Sequence, residues 1–149
     1  MTALREGKQG FDRLAPLPDR WTPFGDAGVA ARFGAAVALA VSAEHWGAFP
    51  SHLHKQPWLG WLFVLGAAAL LYTTLMLAVR PSFTAWLVGA GTTGAMIIGG
   101  ILSRTTGLPG VYFKHWGPPL LVSLSLEALF LVLWVATRFG TTATVRPRR

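Results

Sequence analysis

The sequence predicts an all-α fold, an integral membrane bundle of four helices that run alternately up and down. Hydrophobic residues make up 52% of the 149-residue chain and charged residues only 13%, against about 25% charged in an average globular protein. The clearest apolar stretch, Pro57 to Val79, holds no charge over 23 residues, more than the ~20 needed to cross a bilayer. Backbone groups in lipid must be satisfied internally, and stretches of this length do so as helices.

Four membrane spans between two polar tails make up the predicted domain organisation. The spans cover about residues 27–49, 57–79, 83–103 and 118–137. Together they form one bundle, residues 27–138. Before it lies a polar cytoplasmic tail, residues 1–26, and after it a basic cytoplasmic tail, residues 139–149.

The first span has a competing interpretation as a signal peptide. Arg32 precedes its apolar stretch, and Val41-Ser42-Ala43 has the pattern of a small-residue cleavage site. The polar region before it is long and carries acidic residues, which a secretory signal usually lacks, so we predict an uncleaved helix. Pro50 is expected to end that helix and to leave His52 and His54 in a loop.

The third span is rich in glycine, which favours close helix packing in lipid. Gly91, Ala95 and Gly99 are small residues spaced four apart, and Ala90 and Gly94 repeat that spacing. Small residues at this interval let the backbones of neighbouring membrane helices approach closely. We therefore expect the third helix at the centre of the bundle.

The distribution of basic residues predicts the orientation of the chain. Ten of the 13 Lys and Arg residues flank the spans on one face, namely Arg5, Lys8, Arg13, Arg20, Arg32, Arg80, Arg138, Arg146, Arg148 and Arg149. The opposite face carries Lys55, Arg104 and Lys114. The positive-inside rule therefore places both termini in the cytoplasm of a multi-pass plasma-membrane protein.

Composition also limits the partners and the chemistry. The chain has no cysteine, which excludes disulfides, thiolate metal sites and cysteine nucleophiles. Its net charge of +7 is explained by topology signalling and by contact with anionic lipid head groups. Nucleic acid is not a predicted partner, because no recognised binding module is present. The predicted partners are the lipid bilayer and either a second copy of the chain or another membrane protein.

All four histidines fall on the predicted outer side of the membrane. They are His45, His52, His54 and His115. Imidazole is a suitable ligand for zinc, copper or iron, so these residues are candidate metal ligands. His45 and His115 could also face each other across the bundle mouth as axial haem ligands. The alternative is a set of interfacial polar residues in a wet loop, and the cofactor therefore stays open.

Three charged residues predict a buried polar site. Glu44 and Arg104 each lie at the outer end of a helix, where a salt bridge between them would offset the cost of charge near hydrocarbon. Glu127 lies near the middle of the fourth span, where a carboxylate must be protonated or paired and should face the bundle interior. Such a residue marks a proton or substrate path, or else fixes the register of its helix.

One combination of motifs carries a resemblance. The chain has a Glu44-His45 pair at the outer end of the first helix, a Ser-Arg-Thr-x-Gly-Leu-Pro turn from Ser103 to Pro109, and Glu127 within the fourth helix. This combination resembles a group of small four-helix membrane proteins of actinobacteria, over about residues 27–137. The resemblance implies that these residues belong to one site, and it implies no particular reaction.

Three classes of function follow from these observations. The favoured one is a non-enzymatic accessory or sensor component with a polar site at its outer face, since the chain is small and shows no catalytic motif. The second is a redox protein whose outer histidines hold a metal, haem or quinone. The third is a transporter of protons or small solutes that uses Glu127 and Arg104.

Overall fold

A computed structural model describes residues 27–139, which form four α-helices. Helix α1 is Ala27–Lys55, α2 is Pro57–Val79, α3 is Phe83–Leu102 and α4 is Pro118–Phe139. The described residues contain no β-strand, only an isolated bridge between Leu108 and Val111. The predicted all-α fold class is confirmed. The predicted N-terminal tail, and the C-terminal tail from residue 140 onward, lie outside the described residues.

Consecutive helices run antiparallel, and two of the three connections between them are very short. A single residue, Gln56, joins α1 to α2, and residues 80–82 join α2 to α3. A longer segment, residues 103–117, joins α3 to α4. Helix α1 packs on α2 and α4, and α3 packs on the same two neighbours, so the four helices form a closed ring. This is the predicted up-down bundle.

Three of the four helices, α2, α3 and α4, are long and apolar enough to cross a membrane. Their outer surfaces carry large apolar side chains, among them Leu65, which is 64% exposed, and Val132, which is 63% exposed. A surface of this kind suits contact with lipid rather than with water. Helix α1 is the longest, with 29 residues, but Arg32, Glu44 and three histidines make it more polar.

Pro50 does not end the first helix, contrary to the sequence prediction. Helix α1 continues through Pro50 to Lys55, so His52 and His54 belong to its last turns. Proline removes only its own amide hydrogen from the helical ladder. Side chains on the following residues bond back to nearby carbonyl groups: Ser51 Oγ donates to the Ala48 carbonyl at 2.9 Å, and His54 Nδ1 lies 2.7 Å from that of Pro50.

Helices α1 and α2 make the closest approach in the bundle. A Cβ atom on Gly60 would fall 2.6 Å from the Cα of Leu53, so only glycine allows the two backbones to meet there. Further along the same contact, the Ser42 hydroxyl donates a hydrogen bond of 2.8 Å to the Ala67 carbonyl. Small residues and hydroxyl-to-carbonyl bonds are the features that hold membrane helices together.

The glycine face of α3 is not the packing centre that its spacing predicts. No atom of the described residues lies within 4 Å of where a Cβ of Gly91, Gly94 or Gly99 would be. Aromatic rings fill the centre instead: Trp86 and Phe130 lie with their ring centroids 5.4 Å apart. These large side chains keep α3 away from the close approach that its small residues would allow.

Gly89 is the position of α3 whose packing can be tested directly. A Cβ there would fall 2.5 Å from the Phe130 ring and 2.8 Å from a methyl of Thr73. We expect Gly89→Ala to lower the free energy of unfolding by about 1–3 kcal/mol, the usual cost of overpacking a core. Gly94→Ala on the same helix has open space for the added methyl group and should raise it by up to about 1 kcal/mol. Unfolding in detergent measures both, and equal losses would contradict the described packing.

Candidate functional site

Helix α4 carries Glu127 roughly 14 Å from its start, at a depth where the bundle excludes solvent. The side chain is only 2% exposed. Ser123, one turn earlier, donates a hydrogen bond of 3.1 Å to Glu127 Oε1. The second carboxyl oxygen, Oε2, is buried and has no hydrogen-bond partner within residues 27–139. A buried polar atom without a partner is costly, which makes Glu127 a candidate binding residue.

Glu44 of α1 faces the same place from the opposite helix. The Ser123 hydroxyl lies beside its carboxyl group, and the two carboxyls are close enough for electrostatic repulsion. Its Oε2 atom is also buried without a hydrogen-bond partner in the described part of the chain. Glu44 and Glu127 are the only acidic residues after residue 26. The bundle thus brings both of its acids together.

His45 is the nearest group that can be a cation. Its Nε2 atom lies 3.9 Å from Glu127 Oε1, and its side chain is nearly buried. On the other side of the ring, Nδ1 lies 3.0 Å from the Val41 carbonyl oxygen, which can only accept, so Nδ1 carries a hydrogen and donates it. The Nε2 atom of the neutral ring is then an acceptor that faces the carboxyl group. His45 can therefore hold a proton, and with it a positive charge, beside the Glu127 carboxyl group.

The aromatic ring of Phe63, a residue that the sequence analysis did not single out, packs against His45. The Phe63 ring of α2 lies 4.9 Å from the ring of His45 and is stacked on His52 at 4.3 Å, both measured between centroids. Nothing in the apolar sequence of α2 marks Phe63 among its neighbours. Its role becomes visible only in the structure, where the packing of α2 against α1 places the Phe63 ring beside His45 and His52. These two histidines lie about two turns apart on the same face of α1.

The four histidines do not converge on one point. His45 and His52 line the same cavity, whereas His54 and His115 do not. His54 is exposed on the last turn of α1, and His115 is exposed in the segment before α4. Residues 27–139 contain no group of three or more His, Cys, Asp or Glu side chains that could hold a metal ion. The structure therefore does not assemble the metal site predicted from the sequence.

Arg104 organises the mouth of the bundle rather than pairing with either carboxyl. Its Nη1 atom donates to Ser103 Oγ at 2.7 Å and to the Gly100 carbonyl at 3.2 Å, and Nε donates to the His115 carbonyl at 3.2 Å. The guanidinium carbon lies 5.1 Å from the centre of the Phe113 ring. Partial burial lowers the pKa of Arg104, although a guanidinium stays protonated in proteins. Of the three residues predicted to form a polar site, Glu44 and Glu127 come close together. Arg104 lines the same cavity but pairs with neither of them in the described structure.

The segment after α3 folds back over the mouth. Gly107 has φ +83° and Gly110 has φ +72°, a conformation that favours glycine. The turn they make lets Phe113 donate its amide to the Ser103 carbonyl at 2.9 Å. Gln56 fixes the tip of the turn, because its Nε2 atom donates to the Gly110 carbonyl at 2.9 Å. Gln56 has no sequence motif, so its role could not be foreseen.

One cavity of about 650 Å³ connects these features and is lined by all four helices. Its polar lining consists mainly of Glu44, His45, His52, Arg104, Ser123 and Glu127. The remainder is largely apolar, with leucines of α2 and α4 and small residues of α3. Cavities of about 300–1,000 Å³ hold small organic ligands, and a mostly apolar wall with a few polar groups is their usual form.

Comparison with protein families, with curated proteins and with solved structures found no match to this chain. The resemblance to small actinobacterial membrane proteins therefore stays a prediction. The two acids, the histidine beside them and the cavity are the features of the molecule that point to a function.

The turn over the mouth can be tested at its positive-φ position. We expect Gly107→Ala to destabilise the turn by about 1–2 kcal/mol, because a Cβ is disfavoured in the left-handed region. Amide hydrogen exchange at Val111 and Phe113 should then become faster. Gly117→Ala is the matched control, since a Cβ there meets only Pro119 at an ordinary 3.6 Å. Equal protection in Gly107→Ala and the wild type would count against the described turn.

Proposed function

We propose that this protein is a non-enzymatic membrane component, an accessory or sensor subunit, that binds a small hydrophobic cation inside its bundle. The observation that carries the proposal is a pair of carboxyl groups, Glu127 buried and Glu44 half-buried, each with one buried oxygen that has no hydrogen-bond partner among residues 27–139. Both groups line the 650 Å³ cavity, so a bound molecule can reach them. No enzymatic step is needed to account for this arrangement.

Charge determines the class of ligand. Two carboxyls close together in a region of low dielectric cannot both ionise unless a cation compensates them. The basic groups within reach do not fully do so: Arg104 is engaged at the mouth, and His45 can hold one proton. A ligand with one positive charge would complete the site, and an apolar body would fill the rest of the cavity.

A carrier of protons or small solutes is a second candidate, supported by one specific contact. Nε2 of His45 lies 3.9 Å from Glu127, so a proton can be held by the pair and released when a cation binds. This form of the transport hypothesis uses His45 where the sequence had suggested Arg104. Proton flux in liposomes that is unchanged by Glu127→Gln would contradict it.

We further propose that the protein lies in the plasma membrane with both termini in the cytoplasm. The described helices support this orientation through the positions of their basic residues. Arg80 and Arg138 lie at the end of the bundle expected to face the cytoplasm, and Lys55, Arg104 and Lys114 lie at the other. The lipid bilayer is then the principal partner, with a second copy or another membrane protein as the recipient of a signal.

Binding of decyltrimethylammonium to the purified protein tests the proposed site. We expect Glu127→Gln and Glu44→Gln each to weaken binding at least about tenfold, equivalent to about 1.4 kcal/mol, because each removes a carboxylate that faces the cation. Ser125→Ala is the matched control, since this exposed hydroxyl of α4 bonds only to the Leu121 carbonyl in the described structure.

Decanol, which has the same chain without the charge, serves as the second control for this binding experiment. Its binding should not respond to either glutamate substitution. Titration calorimetry in detergent measures all combinations. Wild-type protein that does not bind the cation, or variants that bind it equally well, would rule out the proposed site.

The orientation can be tested with single cysteines, because the native chain has none. Lys114→Cys should react with a membrane-impermeant maleimide on intact cells, whereas Arg80→Cys should react only after permeabilisation. Both positions are exposed, so access to the reagent depends on the side of the membrane. The reverse labelling pattern would invert the proposed topology.

A further inference from the structure

The cavity is open towards the side of the bundle between α2 and α3. Six residues line the cavity and are also exposed: Trp58 and Pro119 lie near the outer ends of α2 and α4, and the other four, Leu62, Leu65, Gly91 and Ala95, lie further along α2 and α3. Leu62 is 53% exposed and Leu65 is 64% exposed, so the opening is wide and apolar. We name Leu62, Leu65, Gly91 and Ala95 the lateral groove. The same cavity continues inward to the two carboxyl groups.

The contact between α2 and α3 next to the lateral groove is made by an adaptable side chain. The methyl end of Met96 occupies the place that a Cβ of Gly66 would need. Both residues line the cavity. Methionine is unbranched and flexible, and it repacks more readily than leucine or isoleucine. The flexible side chain of Met96 therefore lies between the lateral groove and the interior of the cavity.

The depth of the lateral groove places it in hydrocarbon rather than in water. Gly91 lies roughly 16 Å along α3 from Leu102, the outer end of that helix. The hydrocarbon core of a bilayer is about 30 Å thick, so this position is near its middle. Molecules that reach the groove are dissolved in the membrane. A polar solute in water would meet the folded segment over the mouth instead.

We propose that the ligand is a single-chain cationic amphiphile that enters from the bilayer through the lateral groove. Its head would lie between Glu44 and Glu127, and its chain would lie along α2 and α3 in the groove. This inference rests on the proposed function, because it assigns a class of ligand and a route to the same site. The two carboxyl groups favour a cationic head group, and the continuous apolar wall of the groove favours an alkyl chain as the tail.

Two features of the groove suit an alkyl chain better than a bulky ring system. Gly91 has no atom of the described residues within 4 Å of its Cβ position, so this wall of the groove is flat. Ala95, one turn along the same face, extends that flat wall. A chain of methylene groups packs along such a wall, opposite the leucines of α2.

The test compares two cations that share a head group and differ in the chain. Tetramethylammonium presents the head alone, and decyltrimethylammonium adds the chain. In nanodiscs, we expect Gly91→Leu to weaken binding of the long-chain cation at least about tenfold and to leave that of tetramethylammonium within about twofold. A leucine there would occupy the groove without reaching the carboxyls.

Gly94→Leu is the matched control, since Gly94 also has open space around it but does not line the cavity. It should change neither affinity. Ala95→Leu provides a second blocking variant, and thermal unfolding verifies that each variant is folded. Glu127→Gln should weaken both cations.

The outcomes separate the two proposals. Wild-type protein that binds neither cation would overturn the proposed function itself. Wild-type protein that binds both, with Gly91→Leu and Ala95→Leu either harmless or equally harmful to both cations, would leave the binding site standing and overturn the lateral route. Selective loss of the long-chain cation in both blocking variants, with Gly94→Leu unaffected, is the expected result.

Discussion

The convergence of two carboxyl groups on one cavity, with Glu127 buried and Glu44 half-buried, is the constraint around which the polar part of this bundle is arranged. A carboxylate at the depth of Glu127 costs about 3 kcal/mol on insertion scales, and a like charge beside it adds to that cost. Ser123 supplies one hydrogen bond and His45 can hold one proton, so the cost is only partly offset. The remaining oxygens face a cavity instead of a protein partner. A cation in that cavity would offset the rest of the cost.

The cavity itself follows from unequal packing among the helices. Gly60 allows α1 and α2 to meet backbone to backbone, and these two helices form the tight half of the bundle. On the other side, Trp86 and Phe130 fill the centre at one level and hold α3 outward. Above that level the Cβ positions of Gly91, Gly94 and Gly99 on α3 point into open space, although Gly100 meets Leu120 and Leu124 of α4. Space is left there, next to Glu44 and Glu127, so packing and electrostatics produce one site together.

Most of the fold could be predicted from the sequence, because hydropathy and length are sufficient to define helices in a membrane. The ends of α2 and α3 agree with their flanking polar residues to within one position. Pro50 misled the prediction for α1, since the helix continues through it to Lys55 although proline removes one hydrogen bond of the helical ladder. The glycine spacing of α3 misled it as well, because small residues permit close packing and do not compel it.

The candidate site was predictable only in part. Glu44, His45 and Glu127 were identified because charge and imidazole are conspicuous in an apolar chain, but their contact depends on how α1 and α4 turn about their axes. Sequence periodicity does not fix that rotation, because neither helix has a distinct polar face opposite an apolar one. Arg104 was assigned to the acids on charge alone, whereas Ser103 and the carbonyls of the mouth lie closer to it.

A ligand between Glu44 and Glu127 would act on all four helices at once, and this gives a sensor role a physical basis. The acids belong to α1 and α4, whereas the lateral groove belongs to α2 and α3. An occupant with a cationic head and an apolar chain therefore links the tight half of the bundle to the loose half. Binding stabilises the arrangement of the helices that accommodates the ligand. A ligand can shift the equilibrium between two arrangements of the bundle only by the difference between its binding free energies for them. Compensation of the two carboxyl groups by a cation would supply that difference, and Met96, which lies between α2 and α3, is the side chain placed to yield.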